Sequence, residues 1–338
     1  MYSFKNDYSE GAHEKILKAM VECNLSQSDG YGEDEYCRKA KEAIMKEMNC
    51  HEVDIHFLVG GTQTNLTAIS AFLKSYEAVI APSTGHVLTH ETGAIEATGH
   101  KVISVPSLDG KIRAEEVKDV VDEHIDEHMV KPKMVYISQP TEVGTIYNKK
   151  EIESLKKVCE AENLLLYIDG ARLASALTCE GNDLSLQDIC READAFYIGG
   201  TKCGAYLGEA LVIRKNELKE NFRYNIKQRG ALLAKGRLIG IQFKELFRDN
   251  LYYELGAYAN SMAMILRKGL KDKGFNFLVE TCTNQIFPII SNKEIEKLRK
   301  KYDFVIWNKI DEEHSAIRLV TSWATKEDEI EGFLKELH

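Results

Sequence analysis

The chain has 338 residues, of which 44% are hydrophobic and 29% are charged, and its formal net charge is -9. A chain of this length and composition can bury a full core, which excludes a disordered protein, a fibre and a small disulfide scaffold. Because nucleic acids and anionic membranes would repel the negative charge, we expect a small-molecule partner, with no nucleic acid and no membrane.

The distribution of apolar residues and cysteines indicates the cellular compartment. No apolar run reaches about 18 residues, and the start of the chain lacks a basic end followed by an apolar signal core. The eight cysteines are scattered without a CxxC pair, which favours reduced thiols over a disulfide or zinc framework. We therefore predict a cytoplasmic protein without a metal site.

The first two thirds of the chain alternate between strand-like and helical segments. Apolar runs predict strands at residues 54–60, 77–80, 101–106, 134–138, 164–169, 195–199 and 210–214. Helical periodicity predicts helices at residues 10–23, 36–48, 113–128, 149–162 and 184–191. This alternation predicts an α/β fold, in which helices flank a mostly parallel sheet.

The pattern changes near residue 251. A long helical segment over residues 232–273 leads to shorter strand candidates at 304–308 and 316–321 and to a last helix from Lys326. We predict a large α/β domain over residues 1–250 and a smaller α+β domain over residues 251–338.

Two short segments carry the most specific chemical signal. Asp169 ends a predicted strand in "YIDGARL", and Lys202 follows the next strand in "YIGGTKCGA". Pyridoxal 5′-phosphate (PLP) requires a lysine amine for its Schiff base and an acid partner for its ring nitrogen. Arg172 could pair with that cofactor or with a substrate carboxylate. Taken singly, the segments also fit an ordinary turn and a surface lysine.

A glycine-rich turn precedes the helix in "VGGTQTNLTAI". The first amides of a helix carry partial positive charge, and glycine lets a phosphate approach closely. This pattern predicts a phosphate site at Gly60, Gly61 and Thr62. The alternative is an ordinary strand-to-helix turn with Thr62 as the N-cap.

His86 lies in a stretch with several glycines and histidines, residues 83–101. An imidazole can stack on a flat cofactor ring and exchange protons near neutral pH, although a structural histidine is the common alternative. A functional role is favoured because six candidate residues follow one another at predicted strand ends, where open α/β sheets bind ligands. These residues are Gly61, Thr62, His86, Asp169, Arg172 and Lys202.

Taken together, these motifs resemble those of the threonine aldolases, in the β-eliminating lyase group of fold-type I PLP enzymes. The resemblance covers nearly the whole chain, and His86 stands five residues before Glu91, as in that family. The motifs that carry it are "DGYGED" (29–34), "GGTQTNLTAI" (60–69), "DGARL" (169–173), "GGTKCGA" (199–205), "IKQRGALLA" (226–234) and "IRLVTSW" (317–323).

The resemblance implies roles for individual residues. Lys202 is then the Schiff-base lysine, Asp169 pairs with the ring nitrogen, and His86 stacks on the ring. Cofactor-phosphate contacts are implied for Gly60, Gly61 and Thr62, with Lys227 or Arg229 reaching the phosphate of a neighbouring subunit. Contacts to the substrate are implied for Asn6, Tyr31, Arg172 and Arg318.

The chain departs from the family pattern at two places. The segment "KNDY" (5–8) replaces R-S-D-T, so a serine contact passes to Asn6 or is lost. In "PTEVG" (140–144), Glu142 replaces a second active-site histidine that helps to recognise the substrate hydroxyl. The catalytic base is therefore left open between His86 and Glu142.

The resemblance implies retro-aldol cleavage of L-threonine or L-allo-threonine to glycine and an aldehyde. It also implies a homo-oligomer, a dimer of dimers with active sites at the dimer interface. A β-eliminating lyase or an aminotransferase for another small L-amino acid remains an alternative, because the same cofactor can break other bonds to Cα. A PLP-binding protein without turnover is a further alternative, but it would not need Arg318.

Overall fold

The structure is a computed structural model, and it describes residues 1–337. Its strands are β1 (Tyr2–Ser3), β2 (Asp54–Leu58), β3 (Glu77–Pro82), β4 (Val102–Val105), β5 (Lys131–Ser138), β6 (Leu165–Asp169), β7 (Ala195–Gly199), β8 (Glu209–Ile213), β9 (Gln285–Ile286), β10 (Ile289–Ser291), β11 (Tyr302–Asp303), β12 (Val305–Lys309) and β13 (His314–Val320). Its α-helices are α1 (Glu14–Cys23), α2 (Glu35–Met48), α3 (Gly61–Phe72), α4 (His86–Thr89), α5 (Ala114–Glu123), α6 (Lys149–Ala161), α7 (Leu173–Thr178), α8 (Leu186–Glu192), α9 (Phe222–Gln228), α10 (Arg237–Leu246), α11 (Leu251–Asp272), α12 (Asn292–Leu298) and α13 (Glu327–Glu336).

The largest sheet has seven strands in the order β2-β8-β7-β6-β5-β3-β4. Every neighbouring pair from β7 to β4 is parallel, whereas β8 is antiparallel to both β2 and β7. Because parallel strands end at the same edge, the segments that follow β5, β6 and β7 come together. The prediction of a mostly parallel α/β sheet is confirmed.

Both faces of this sheet are buried. Along β6, Leu166 and Ile168 belong to one apolar core, while Leu165 and Tyr167 belong to a second core on the opposite face. Successive side chains of a strand point to opposite faces, so strands that are covered on both sides are apolar almost throughout. This is why these strands read as continuous apolar runs in the sequence.

A smaller antiparallel sheet is built from the C-terminal part of the chain. Its central strand, β13, pairs with β9, β10 and β12. The N-terminal strand β1 pairs in parallel with β11, and Phe4 packs in an apolar core whose other buried members come from residues 262–337. The first residues of the chain therefore pack with the last ones, while the boundary at residue 250 remains a prediction.

Three local predictions differ from the structure. The helical segment over residues 232–273 is divided into α10 and α11, because Asp249 and Asn250 adopt left-handed backbone angles (φ 54° and 61°) that interrupt a helix. The helix over residues 113–128 already ends at Glu123. Strands β9 and β10 were not predicted, because two or three residues are too few to show a period.

None of the helices within residues 1–337 combines the length and the apolar character that a membrane crossing requires.

The turns after β6 and β7 approach each other closely. The Gly199 N–H donates a hydrogen bond to the Gly170 carbonyl at 3.0 Å. A Cβ atom on Gly170 would lie 2.0 Å from the carbonyl oxygen of Tyr197, and one on Gly199 would lie 2.3 Å from that of Ala171. Only glycine permits this approach, which brings the two predicted site segments side by side.

We expect the substitution Gly170→Ala to lower the free energy of unfolding by about 3 kcal/mol, because the added methyl group must displace backbone. Denaturant unfolding followed by circular dichroism measures this change. Gly60→Ser is the matched control, since Gly60 has an extended backbone (φ -174°) and no atom within 4 Å of an added Cβ. Equal stability of both variants would contradict the close approach.

Candidate active site

A cavity of about 270 Å³ opens where β5, β6 and β7 end. It is the meeting point of segments that are far apart in sequence, as the strand order requires. The sequence-predicted residues that line it are Gly60, Gly61, Thr62, His86, Glu142, Asp169, Arg172 and Lys202.

Asp169 lies at the end of β6 as a buried carboxylate with four hydrogen-bond donors. Oδ1 accepts from the Tyr197 hydroxyl at 2.5 Å and from the Ala171 N–H at 3.0 Å. Oδ2 accepts from the Tyr136 hydroxyl at 2.6 Å and from Asn65 Nδ2 at 3.1 Å. These donors satisfy a charge that would otherwise be costly to bury.

The same contacts set the protonation state of Asp169. Burial alone would raise the pKa of its carboxyl group, but the charge of His86 and the hydrogen bonds from Tyr136, Tyr197 and Asn65 lower it below 3.8. The site therefore contains a buried carboxylate that is ionised at neutral pH. Such an anion can hold a cationic partner, for example a protonated ring nitrogen.

His86 opens the short helix α4 and is connected to Asp169 through two other residues. Its Nδ1 lies 2.8 Å from Glu91 Oε1, which also accepts a hydrogen bond from Asn65 Nδ2 at 2.8 Å. Asn65 bonds Asp169 in turn. The imidazole is thus held in a fixed orientation at the cavity wall, which suits stacking on a flat ligand.

Lys202 lies in the turn after β7, is partly accessible and lines the cavity. Burial lowers the pKa of its amine below 10.5, and the positive charge of Arg172 lowers it further, against the carboxylates of Asp7, Asp169 and Glu209. A lowered pKa increases the fraction of neutral amine, which is the nucleophilic form.

Glu142 is a buried carboxyl group that faces the same cavity. Its Oε1 accepts hydrogen bonds from Ser138 Oγ at 2.6 Å and from the His86 N–H at 2.9 Å. Burial raises its pKa above 4.5, and the Ser138 hydrogen bond opposes the rise. Glu142 therefore stands beside His86, and the two candidate bases occupy one wall of the cavity.

The glycine-rich turn leaves open space at the start of α3. The N-cap is Gly60, which has no side chain to bond the first N–H groups, so the alternative with Thr62 as the N-cap is wrong. Helix N-terminal amides without a side-chain cap are a site for an anion. The geometry is compatible with a phosphate bound by Gly60, Gly61 and Thr62.

Arg172 forms a buried ion pair with Asp7, a residue that the sequence analysis did not select. Arg172 Nε and Nη2 donate to the two carboxylate oxygens at 2.6 and 3.0 Å, and Asn284 Nδ2 donates to Asp7 Oδ2 at 3.0 Å. The pair therefore occupies two of the Arg172 donors that the sequence analysis expects to contact a cofactor or a substrate carboxylate. Only Nη1 of Arg172 is outside the ion pair.

Asn6 and Arg318 are near the cavity but do not line it. Asn6 Oδ1 instead accepts hydrogen bonds from the Tyr8 N–H at 2.9 Å and the Ser9 hydroxyl at 3.1 Å. Arg318 lies over the Trp307 ring at 5.2 Å and donates to the Lys5 carbonyl at 3.3 Å. Tyr8, which the sequence analysis did not select, does line the cavity.

Three predicted residues lie away from the cavity of their own chain. Lys227 Nζ is 4.8 Å from the centroid of the Tyr31 ring, and both side chains are exposed. Arg229 is exposed at the end of α9. Within residues 1–337, none of these three lines the Lys202 cavity.

Glu209, at the start of β8, also lines the cavity and was missed by the sequence analysis. Its Oε1 accepts a hydrogen bond from Thr201 Oγ1 at 2.9 Å, and it is 4% exposed. The available signal was a single acidic residue that opens an otherwise apolar run, "EALVI" (209–213).

Comparison with known proteins places this site in context. The sequence profile described as "Beta-eliminating lyase" matches residues 5–293. A low specificity L-threonine aldolase from Pseudomonas sp. is 31% identical over 96% of this chain and 93% of that protein. The structure of a Leishmania major threonine aldolase is 50% identical, with a TM-score of 0.98 over 99% of this chain and 98% of that chain. A mutant Thermus thermophilus aspartate aminotransferase shares the fold, at 17% identity and a TM-score of 0.74 over 99% of this chain and 90% of that chain. These similarities confirm the predicted fold class.

We expect Asp7→Asn to lower the free energy of unfolding by about 3 kcal/mol at neutral pH, because it leaves the buried Arg172 charge without its partner. Denaturant titration measures the loss. The control Asn6→Ala removes only two turn hydrogen bonds and should cost less than about 1 kcal/mol. If Asp7→Asn cost no more than this control, the ion pair would not stabilise the fold.

The same variant has a defined pH dependence. The Arg172 charge holds the folded-state pKa of Asp7 below 3.8, although burial alone would raise it. The stability that Asp7 contributes is therefore present above about pH 4 and is lost as the pH falls through its folded-state pKa. The difference between wild type and Asp7→Asn should shrink in that acidic range.

Proposed function

The chain belongs to the β-eliminating lyase family, among its threonine aldolases, and from this membership we propose that it cleaves L-threonine and L-allo-threonine to glycine and an aldehyde. The family and the fold imply PLP as the cofactor and a small amino acid as the substrate. The observation that carries the proposal is the single cavity that joins the Lys202 amine, the buried Asp169 anion and the open glycine turn.

The residues of the cavity fit PLP. Lys202 would hold the cofactor through its amine, and Asp169 would pair with the ring nitrogen as an ionised carboxylate. Gly60 leaves the space that a phosphate needs, since no atom lies within 4 Å of an added Cβ. When bound, the cofactor supplies an electron sink for the pair of electrons released from a broken Cα bond.

Several groups of the chain orient the substrate in this proposal. The substrate carboxylate binds Nη1 of Arg172, because the rest of the Arg172 guanidinium is committed to Asp7, and Arg318 contributes positive charge from outside the cavity lining. Burial lowers the pKa of Arg318, and the positive charge of Arg172 lowers it further. The two guanidinium groups therefore repel each other. A carboxylate between them would relieve their repulsion.

Glu142 is the catalytic base in this proposal. Its Oε2 has no hydrogen-bond partner within residues 1–337, whereas Nδ1 of His86 is engaged by Glu91. A carboxyl group with a raised pKa can accept the proton of the substrate β-hydroxyl more readily than an ordinary one. His86 then orients the ring and donates its backbone N–H to Glu142.

The assembly and the compartment belong to the same proposal. Tyr31, Lys227 and Arg229 serve the site of a neighbouring subunit in a dimer of dimers. Support comes from their exposure and from their position outside the cavity of their own chain. A cytoplasmic location is supported by the eight cysteines, which are all free thiols.

The first test is the release of aldehyde from L-threonine and L-allo-threonine by PLP-loaded protein. Lys202→Ala should lower this activity by about 10³-fold or more, because no other lysine within residues 1–337 lines the cavity. Lys268→Ala, at an exposed position of α11, is the matched control and should retain activity. Pyruvate without aldehyde would show a β-eliminating lyase, and a requirement for an oxo-acid acceptor would show an aminotransferase.

The second test separates the two candidate bases. Glu142→Gln keeps a hydrogen-bond acceptor for Ser138 but cannot take a proton, so kcat should fall by about 10²–10⁴-fold with the cofactor absorbance unchanged. His86→Phe keeps a flat ring and should lose less. Full kcat in Glu142→Gln combined with a large loss in His86→Phe would assign the base to His86.

The pH profile gives an independent check on Glu142. Its pKa is raised above 4.5 mainly by burial. A base must be deprotonated to act, so wild-type kcat should fall as the pH drops through this raised pKa. The corresponding acid limb should be absent from the residual activity of Glu142→Gln.

A further inference from the structure

Glu209 is a buried carboxyl group for which the proposed function has no task. Its Oε1 accepts the Thr201 hydroxyl, whose oxygen in turn accepts the Gly208 N–H at 3.0 Å. Its Oε2 has no hydrogen-bond partner among the described residues 1–337. Burying a carboxyl group with an unsatisfied oxygen is costly.

The apolar pattern of β8 does not account for a carboxyl group at this position. The next four residues of the strand are apolar and buried. A hydrophobic side chain of similar size at position 209 would continue that pattern without a desolvation cost. Buried titratable groups that are aimed into a cleft are typical of functional sites.

The β7–β8 hairpin fixes Glu209 relative to Lys202. Glu209 stands opposite Gly199 in the antiparallel register, and Lys202 lies three residues after Gly199 in the connecting turn. The turn is closed by hydrogen bonds from the N–H groups of Gly200 and Thr201 to the Gly208 carbonyl, at 2.9 and 3.2 Å. Both side chains line the same cavity.

We propose that Glu209 is the proton partner of Lys202. Through an intervening water, its carboxylate takes the proton that the Lys202 ammonium group must lose before the amine can bond a carbonyl carbon, and it returns this proton when Lys202 is displaced. The transfer is balanced, because an ammonium and a carboxylate become a neutral amine and a carboxylic acid. This inference rests on the proposed function, since it requires Lys202 to be the cofactor-binding amine.

The electrostatic surroundings support such a transfer. Burial raises the pKa of Glu209 to about 8 against the opposing Thr201 hydrogen bond and Lys202 charge, while burial and Arg172 lower the pKa of Lys202. The two pKa values are therefore shifted toward each other, which lowers the cost of moving a proton from Lys202 to Glu209. The charged or titratable side chains that line the cavity with them are Tyr8, His86, Glu142, Asp169, Arg172 and Tyr197.

This arrangement has a kinetic consequence. Over the pH range in which the pair holds one proton, the fraction with a neutral Lys202 is independent of pH, because the proton moves inside the pair. Without the carboxyl group, Lys202 must release its proton to solvent. The neutral fraction then rises about tenfold per pH unit until the pKa of Lys202 is reached.

The test is the rate at which full-length protein freed of cofactor captures added PLP, followed by visible absorbance from about pH 6 to about pH 9. The quantity compared is the ratio of the Glu209→Gln rate to the wild-type rate, which cancels the titration of PLP itself. We expect this ratio to be independent of pH well below the Glu209 pKa of about 8, where the wild-type pair holds two protons, and to rise by up to about tenfold per pH unit above it, where the pair holds one. Glu209→Asp, which keeps a titrating carboxyl group, should restore the wild-type slope.

Glu77→Gln is the matched control. Glu77 is another buried glutamate at the start of a strand, but it bonds the Lys74 N–H and lies outside the cavity. Its rate ratio should be independent of pH. If Glu209→Gln does not fold, Glu209→Met replaces it, since methionine fills a similar volume without a buried polar atom.

The outcomes are distinct. A Glu209→Gln ratio that is independent of pH over the whole range, whatever its size, would overturn the inference and leave Glu209 a structural residue. Capture of PLP by Lys202→Ala with the same absorbance would instead overturn the proposed cofactor site, and the inference would fall with it. A ratio that rises with pH, together with no capture of PLP by Lys202→Ala, would support both the inference about Glu209 and the proposed cofactor site.

Discussion

The rest of the structure depends on keeping one carboxylate, Asp169, ionised inside the protein. An anion buried at the end of a central strand is stable only if several donors converge on it. Tyr136 and Tyr197 lie on the strands either side of β6, with their side chains on the same face of the sheet, and Asn65 reaches the same point from α3. The sheet, the two tyrosines and the helix thus form one support for a single charge.

The site is closed by ties between distant parts of the chain. The ion pair of Asp7 and Arg172 joins residues separated by 165 positions, and Asn284 bonds both Asp7 Oδ2 and the Thr321 carbonyl. Strand β1, which pairs with β11, lies just before Asp7 in the chain. The β1–β11 pair and the segments next to β9 and β13 therefore place Asp7 against Arg172, in the turn after β6.

Residues that belong to a local motif were predictable from the sequence, and residues that depend on long-range pairing were not. Lys202, Asp169 and the glycine turn stand in short segments whose strand, turn and helix signals agree with each other. Asp7 was missed in favour of its neighbour Asn6, because only the folded chain shows that Arg172 bonds it. Glu209 and Tyr136 were missed for the same reason: each stands in an apolar strand, and its partner comes from elsewhere in the fold. Tyr31, Lys227 and Arg229 depend on a second chain in the resemblance that suggested them, so one chain cannot bring them to the cavity.

Three carboxyl groups share one cavity, and their surroundings separate their chemistry. The charge of His86 and several hydrogen bonds keep the pKa of Asp169 low, so it is ionised at neutral pH. Glu142 and Glu209 have fewer donors, and burial raises the pKa of each. Groups whose pKa values are pushed apart in this way can take different roles at one pH. In the proposed function, the Asp169 anion then lies between two proton acceptors, Glu142 beside His86 and Glu209 on the β7–β8 hairpin. Protons can move on both sides of a bound ligand, while the anion that holds the ligand keeps its charge.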